Sequence, residues 1–325
     1  MIFYRLPDGA EVRSVPAGAV AVLGFFDGVH KGHRKLFDTA ASCDGPVVAW
    51  TFSSGERTGL LTDDATRLRL LGEAGAEYAA VADFRELKDA DGPTFVSSVL
   101  KDRLAVAHAV CGESFRFGRG AAWDASALES LCRENGVGCT VVPTVSVCGV
   151  PVSSSAIREM ISSGDVEGAA ALLGRAHFLR LPVVKGKMIG RLLGFPTANQ
   201  LLPLDLVCPA DGVYVCRASF DEDGKTVRFP GVLNVGVCPT LDAEGMRAFR
   251  RDNPEYSLPD EAVLGSKVLE THVIGYDGDL YGRELRVDLC ARLRDEIRFD
   301  GVDALVRAVR EDEKKALEYF GHDPL

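Results

Sequence analysis

Two short stretches of this chain bring together residue types that handle nucleotide phosphates. In the second half, Gly190-Arg191-Leu192-Leu193-Gly194-Phe195-Pro196-Thr197-Ala198-Asn199 sets two glycines and a proline ahead of two small oxygen-bearing side chains. Glycine lets a backbone approach phosphate oxygens closely, and the fixed φ of Pro196 stiffens the approach to Thr197. Thr197 and Asn199 are hard oxygen ligands suited to a Mg²⁺ that already carries nucleotide phosphates. In the first half, Gly24-Phe25-Phe26-Asp27-Gly28-Val29-His30-Lys31-Gly32-His33 places two histidines three residues apart at the mouth of an expected helix. There both rings can converge on one anionic group beside the helix's own free amides, and Asp27-Gly28 supplies the tight turn. The bland alternative is a strand–turn–helix with two exposed histidines. Two phosphate-type loops of different construction imply two nucleotide sites.

A partner segment, Val152-Ser153-Ser154-Ser155-Ala156-Ile157-Arg158, starts a helix with three hydroxyls and follows with an arginine one turn on. Serines at such positions are commonly plain caps. Joined to the histidine loop they make a second phosphate clamp, in which Arg158 offers a bidentate fork. Sites that position and neutralise phosphates suit nucleotidyl transfer, which needs charge stabilisation and in-line placement more than a protein nucleophile. Glu270 is the other chemical residue. Strand alternation puts Val268, Glu270, His272 and Ile274 on one side, so a carboxylate stands on a mostly apolar face. That is costly unless it has a partner or a task, and one task is to take the proton of an attacking hydroxyl. The pattern equally allows an edge-strand glutamate facing water. Tyr281, in Asp279-Leu280-Tyr281-Gly282, belongs to a hairpin end or packs on a ring, and Arg294 and Glu296 read as solvated charge before the last helix.

The elements that must position these residues divide into two kinds. Apolar runs at 19–23, 46–52, 78–82, 106–111 and 139–145 alternate with helical patterns at 34–41, 62–74, 93–104 and 125–135. Continuous rather than alternating apolar runs belong to a parallel sheet covered on both faces, so a doubly wound α/β domain is expected. Its ligands bind outside the carboxyl ends of strands, where the Gly24 loop falls. Thr62 is the expected cap of the second helix. Two short helices at 155–161 and 166–173 lead to a boundary near Leu179–Pro182. Beyond it, strands at 212–220, 226–234, 268–276 and 285–290, separated by turns such as Asp223-Gly224 and Asp277-Gly278, suggest a small antiparallel barrel. It ends in a helix at 302–319 whose apolar stripe is read as Ala304, Leu305, Ala308, Val309, Ala316 and Leu317. Residues 247–260 read as an exposed loop.

Composition bounds the rest. The 325 residues are 46% hydrophobic and 26% charged, enough for two domains with their own cores. A net charge of −10 argues against nucleic-acid or anionic-membrane partners, which need clustered positive charge. No apolar run reaches the roughly 20 residues of a membrane span, and residues 1–22 lack a signal-peptide core, so a cytoplasmic monomer or weak oligomer is expected. The nine cysteines have no zinc-type spacing; those such as Cys216 and Cys290 read as reduced, packed side chains.

In order, these segments resemble the bacterial bifunctional riboflavin kinase/FMN adenylyltransferases. The likeness runs through the histidine loop, Phe115-Arg116-Phe117-Gly118, the Ser153–Arg158 clamp, Gly186 with the 190–199 stretch, Asn234-Val235-Gly236, Glu270-Thr271-His272, Asp279–Gly282 and Leu293-Arg294-Asp295-Glu296. The resemblance implies a nucleotidyltransferase-like α/β domain at 1–178 and a riboflavin kinase barrel at 181–325. It implies ATP with Mg²⁺, riboflavin as substrate, FMN as product and then substrate, and FAD as final product. Gly24, Phe25, Asp27, Ser154, Ser155, Gly186, Gly190, Arg191, Gly194, Pro196, Thr197 and Asn199 would bind nucleotide, Thr197 and Asn199 also the metal. Phe115, Arg116, Phe117, Tyr281, Arg294 and Glu296 would meet flavin, and Glu270, His30, His33 and Arg158 would be catalytic. The chain departs from the family pattern where Ser53-Ser54-Gly55-Glu56 replaces a proline–histidine–proline turn, and at Ser114, Ala156 and Cys238. Two alternatives therefore stay open: a kinase whose first domain no longer transfers AMP, and a non-catalytic flavin-binding regulator.

Overall fold

The computed structural model describes residues 1–6, 9–185, 193–237, 267–297 and 299–322. Gly186, Gly190, Arg191, Cys238 and the 247–260 stretch lie outside them. The chain divides into two compact units, Met1–Ala156 with Leu172–Gly174, and Ile157–Ala171 with Arg175–Leu325.

The first unit is built on a seven-stranded sheet. Five parallel strands, β3 (Ala19–Leu23), β4 (Val47–Phe52), β5 (Tyr78–Ala82), β6 (Val106–Gly112) and β9 (Gly138–Val142), stand in the order β5-β4-β3-β6-β9. β3 is buried along its whole length, as an apolar run flanked by parallel neighbours must be. The order reverses at β3, so the gap between the carboxyl ends of β3 and β6 is the switch point where such sheets hold ligands. An antiparallel hairpin that the sequence did not announce, β1 (Ile2–Arg5) and β2 (Ala10–Val12), extends the sheet beyond β5. Two further short antiparallel pairs, β7 (Arg116–Phe117) with β8 (Trp123–Asp124) and β10 (Ser146–Val147) with β11 (Val150–Pro151), lie outside it.

Two helix starts differ from expectation. The helix Asp64–Glu73 is capped by Asp63, whose carboxylate accepts from the Thr66 amide at 2.6 Å. Thr62 instead accepts from the Gly28 amide at 3.3 Å, so it braces the histidine loop rather than the helix. The expected helix at 93–104 is one turn, Gly92–Thr94, running into a π-helix, Phe95–Arg103, which buries Phe95, Val96, Val99 and Leu100.

The second unit is an antiparallel sheet curled on itself. Its order is β12 (His177–Pro182), β17 (Glu284–Arg294), β14 (Gly212–Glu222), β15 (Lys225–Val237), β16 (Lys267–Val273) and β13 (Thr197–Leu201). The outer strands nearly close the barrel. The Val184 amide donates to the Asn199 carbonyl at 2.8 Å, and buried Gln200 donates to the Leu181 and Leu285 carbonyls. Register shifts between β14 and β17 supply the bend. The Leu179–Pro182 stretch read as a boundary lies within β12. The terminal helix, Val302–His322, packs Ala316 and Phe320 against Val213, Val215 and Val232. Its buried stripe corrects the expected one, for Leu317 is 47% exposed while Asp312 and Phe320 are buried.

Candidate functional site

The second unit carries its polar groups in two rows across neighbouring strands. Pairing sets Asn199 of β13 opposite Glu270 of β16, and Glu270 opposite Asn234 of β15. The next row runs Thr197, His272, Val232. Residues two apart on a strand share a face, and all six line one cavity of about 370 Å³. Leu305, Val306 and Val309 of the terminal helix form its apolar wall, with Arg294, Glu296 and Phe299 also lining it. The apolar face expected for Glu270 is on the other side of β16: Leu269, Thr271 and Val273 are buried, whereas Glu270 is exposed to the cavity.

Thr197 and Asn199 also line a second cavity, of about 440 Å³, with Pro196, Val183 and residues 276–281. Tyr281 thus lines a different cavity from Arg294 and Glu296. The turn before Thr197 contains Gly194 in the left-handed region, φ +84°. His272 holds that turn, donating from Nδ1 to the Pro196 carbonyl at 2.9 Å while Phe195 meets its ring edge-on. Arg294, read as solvated charge, is instead a partner of buried Asp312, which takes both Nε and Nη2, the latter at 2.7 Å. Glu296 is exposed and stands against Gly236, where any Cβ would meet its carboxylate at 2.7 Å.

In the first unit a cavity of about 260 Å³ opens at the carboxyl ends of β3, β6 and β9. It is lined by Gly24, His30, Gly32 and His33 from one loop, residues 112–115 and 142–145 from two others, and Val152, Ser153 and Ser154. His30 caps the helix Lys31–Ala40, its Nδ1 accepting from the His33 amide, and the two rings stack 3.5 Å apart. Asp27 is buried, accepts from the Leu61 and Thr62 amides, and through its carbonyl accepts from Ser154 Oγ at 2.8 Å. Of the flavin-side segment, Phe115 lines the cavity, Arg116 is exposed and Phe117 belongs to the core. Phe25 lies under the guanidiniums of Arg57 and Arg67, 4.2 and 4.5 Å from its ring centre. Ser155 is exposed and Arg158 half-buried on the helix Ser154–Ser163, within which the division between the units falls.

A protein named bifunctional riboflavin kinase/FMN adenylyltransferase from Escherichia coli (strain K12) is 32% identical over 317 residues, covering 94% of this chain and 93% of its own. The chain belongs to the bifunctional riboflavin kinase/FMN adenylyltransferase family. A Bacillus subtilis (strain 168) protein of the same name is 29% identical and covers 96% and 95%. The FAD synthetase family matches residues 12–156 and the riboflavin kinase family residues 173–320. A crystal structure of a Streptococcus pneumoniae protein named macrolide-efflux protein superposes with a TM-score of 0.77 at 28% identity, covering 93% and 95%. Among the described residues no helix is long and apolar enough to cross a membrane.

Electrostatics sharpen the reading of the family's two sites. Loss of solvation, and then the neighbouring His30, hold the His33 pKa well below the ordinary histidine value. At neutral pH His33 is therefore uncharged, in keeping with its reading as a hydrogen-bond donor rather than a cation. Where the family's proline–histidine–proline turn is replaced, Ser54 donates to Asp64 and buried Arg67 donates to Ser54 Oγ and the Phe52 carbonyl. That network fixes the turn without proline. Asn199 Nδ2 donates to the Thr197 carbonyl at 3.3 Å, and both residues line the two cavities of the second unit. The Thr197 hydroxyl and the Asn199 amide oxygen are hard oxygens of the kind Mg²⁺ takes as ligands; among the described residues no group of three or more His, Cys, Asp or Glu is arranged to hold a metal. Sequence reasoning passed over Asp312, and it quoted Asn234 and His272 within the resembling segments without giving either a role. A carboxylate at 312 in step with apolar 305, 309, 316 and 320 was the available signal for the first.

Proposed function

We propose that the second unit transfers the γ-phosphoryl group of ATP to the terminal hydroxyl of riboflavin and that the first unit transfers AMP from a second ATP onto the FMN formed. The observation that carries the kinase half is the Asn199–Glu270–Asn234 row facing an apolar-walled cavity whose edge, Thr197 and Asn199, is shared with a second cavity. The apolar cavity takes the flavin ring, and Glu270 accepts the hydroxyl proton as the oxygen attacks phosphorus. The second, more polar cavity takes the nucleotide, with Tyr281 beside it. Thr197 Oγ1 and Asn199 Oδ1 would hold Mg²⁺, which when bound screens phosphate charge; the protein's share is placement of the two substrates in line.

In the first unit the FMN phosphate attacks the α-phosphorus of ATP and pyrophosphate leaves. His30, His33 and the helix amides behind them stabilise the departing charge, with Ser154 and Ser155 as further phosphate donors. Phe115 packs on a planar ring in the same cavity. The test is chromatography of flavins after incubating the full chain with riboflavin and MgATP, and separately with FMN and MgATP. FMN and FAD both forming supports the reading. FMN alone removes the adenylyltransferase half, and neither forming removes both.

A further inference from the structure

Glu222, Tyr276 and Arg283 come from three separate strand ends of the second unit and meet at one point. Glu222 ends β14, Tyr276 follows β16, and Arg283 stands one residue before β17. The Tyr276 hydroxyl donates to Glu222 Oε1 at 3.1 Å and accepts from Arg283 Nη1 at 3.3 Å. That same nitrogen lies 3.5 Å from the Glu222 oxygen, and Arg283 Nη2 donates to the Asp221 carbonyl. A phenol has one proton to give and lone pairs to receive, so both of its roles are filled here. Its ring is held by an aromatic floor, with its centre 4.9 Å from that of Phe220, edge-on, and 5.3 Å from that of Phe229.

The tyrosine so fixed supports the turn that follows it. A Cβ built on Gly278 would come within 2.2 Å of the Tyr276 hydroxyl, so the bare Gly278 backbone rests directly on that oxygen. Tyr276, Asp277, Gly278 and Asp279 line the cavity of about 440 Å³ that Thr197 and Asn199 also line. Asp279 in turn accepts from the Tyr281 amide at 2.9 Å, which carries the placement along the same wall. The ion pair itself contributes little to stability, because its side chains are 32% and 38% exposed and water screens them. Its effect is orientation: the pair sets where the tyrosine stands, and the tyrosine sets where the cavity wall stands.

We propose that Glu222, Tyr276 and Arg283 are positioning residues for the nucleotide of the kinase, setting its affinity for ATP without taking part in phosphoryl transfer. This role rests on the reading of that cavity as the nucleotide's. Glu270 lines only the other cavity, so the supported turn stands apart from the proton acceptor. Loss of the hydroxyl leaves Glu222 and Arg283 paired with each other and takes the prop from beneath Gly278. The nucleotide then loses the same contacts in the bound complex and in the transition state, so KM for ATP moves while kcat does not.

The full chain is assayed for FMN formation with ATP varied at saturating riboflavin, then the reverse, and MgADP binding is measured by titration calorimetry. Tyr276→Phe keeps the ring and removes the hydroxyl. It should raise KM for ATP and Kd for MgADP by roughly tenfold, the worth of one hydrogen bond to a charged group. Both kcat and KM for riboflavin should stay within about twofold of wild type. Glu222→Ala should match it, whereas Glu222→Gln, which still accepts from the phenol, should recover most of the affinity. Gly278→Ala drives a methyl against the hydroxyl and should weaken MgADP without touching the ion pair's residues. Unchanged KM and Kd in Tyr276→Phe and Gly278→Ala overturn the proposal, as does a rise in KM for riboflavin equal to that for ATP or a matching fall in kcat. If the wild type forms no FMN, the kinase reading fails, while the MgADP titrations still decide the cluster, absence of binding counting against it.

Discussion

Asn199 stands directly opposite Glu270 in the β13/β16 ladder, on the open side of both strands. A strand pair keeps such side chains about 5 Å apart, so under the proposed reading the amide and the carboxylate serve one transfer. Replacing Glu270 by Gln keeps the shape and removes the proton acceptor. FMN formation should fall by about 10²–10⁴-fold, with KM for riboflavin changed little and FMN-to-FAD conversion intact. Steady-state kinetics on both reactions decide it; a kinase rate near wild type would leave Glu270 with no part in proton transfer.

Asp312 is the residue that fixes Arg294 at the same cavity. It is 3% exposed and receives three guanidinium contacts. Asp312→Asn leaves that guanidinium without its anion and should cost about 3 kcal/mol, which for a unit of this size lowers Tm by roughly 6–12 °C. Because Arg294 then leaves the wall of the cavity, KM for riboflavin should rise more than kcat falls. A thermal melt and a KM/kcat split together separate this positioning role from a purely structural one.

His30 and His33 test the independence of the two sites. Their rings stack beside Gly24 and Gly32, and both line the first unit's cavity. Changing both to alanine removes two donors from the phosphate position, so FAD formation should drop by roughly 100-fold or more. FMN formation should stay within twofold. Equal loss of both activities would contradict separate centres.

The parallel strands were legible because burial on both faces demands an unbroken apolar run, as in Ala19–Leu23. Thr197–Leu201 was not, since Thr-Ala-Asn-Gln-Leu has no strand signature of its own; it is a strand because β16 pairs with it and Gln200 ties it to β12 and β17. The same override hid Glu270's surroundings. Alternation correctly grouped it with Val268 and His272, but only the register across β13 and β15 reveals that this is the cavity side. Asp312 was overlooked for a simpler reason. The stripe was assembled from apolar residues alone, and its one carboxylate was the partner of an arginine distant in sequence.

His177 gives the second unit a pH dependence of known sign. It is 2% exposed, and its Nε2 has no hydrogen-bond partner among the described residues. Burial, and then the nearby Arg175 charge, lower its pKa from 6.5 to about 3. The unfolded chain therefore binds the extra proton first as pH falls, so stability is complete above about pH 6.5 and is lost progressively below it. At pH 5 the loss from this residue alone is about 2 kcal/mol. His177→Leu removes the titrating group at similar volume. Between pH 7 and pH 5 the wild type should lose roughly 4–8 °C more in Tm than the variant does, as read by paired thermal melts that follow riboflavin kinase activity after cooling. Identical slopes in the two proteins would mean that His177 is protonated in the folded state.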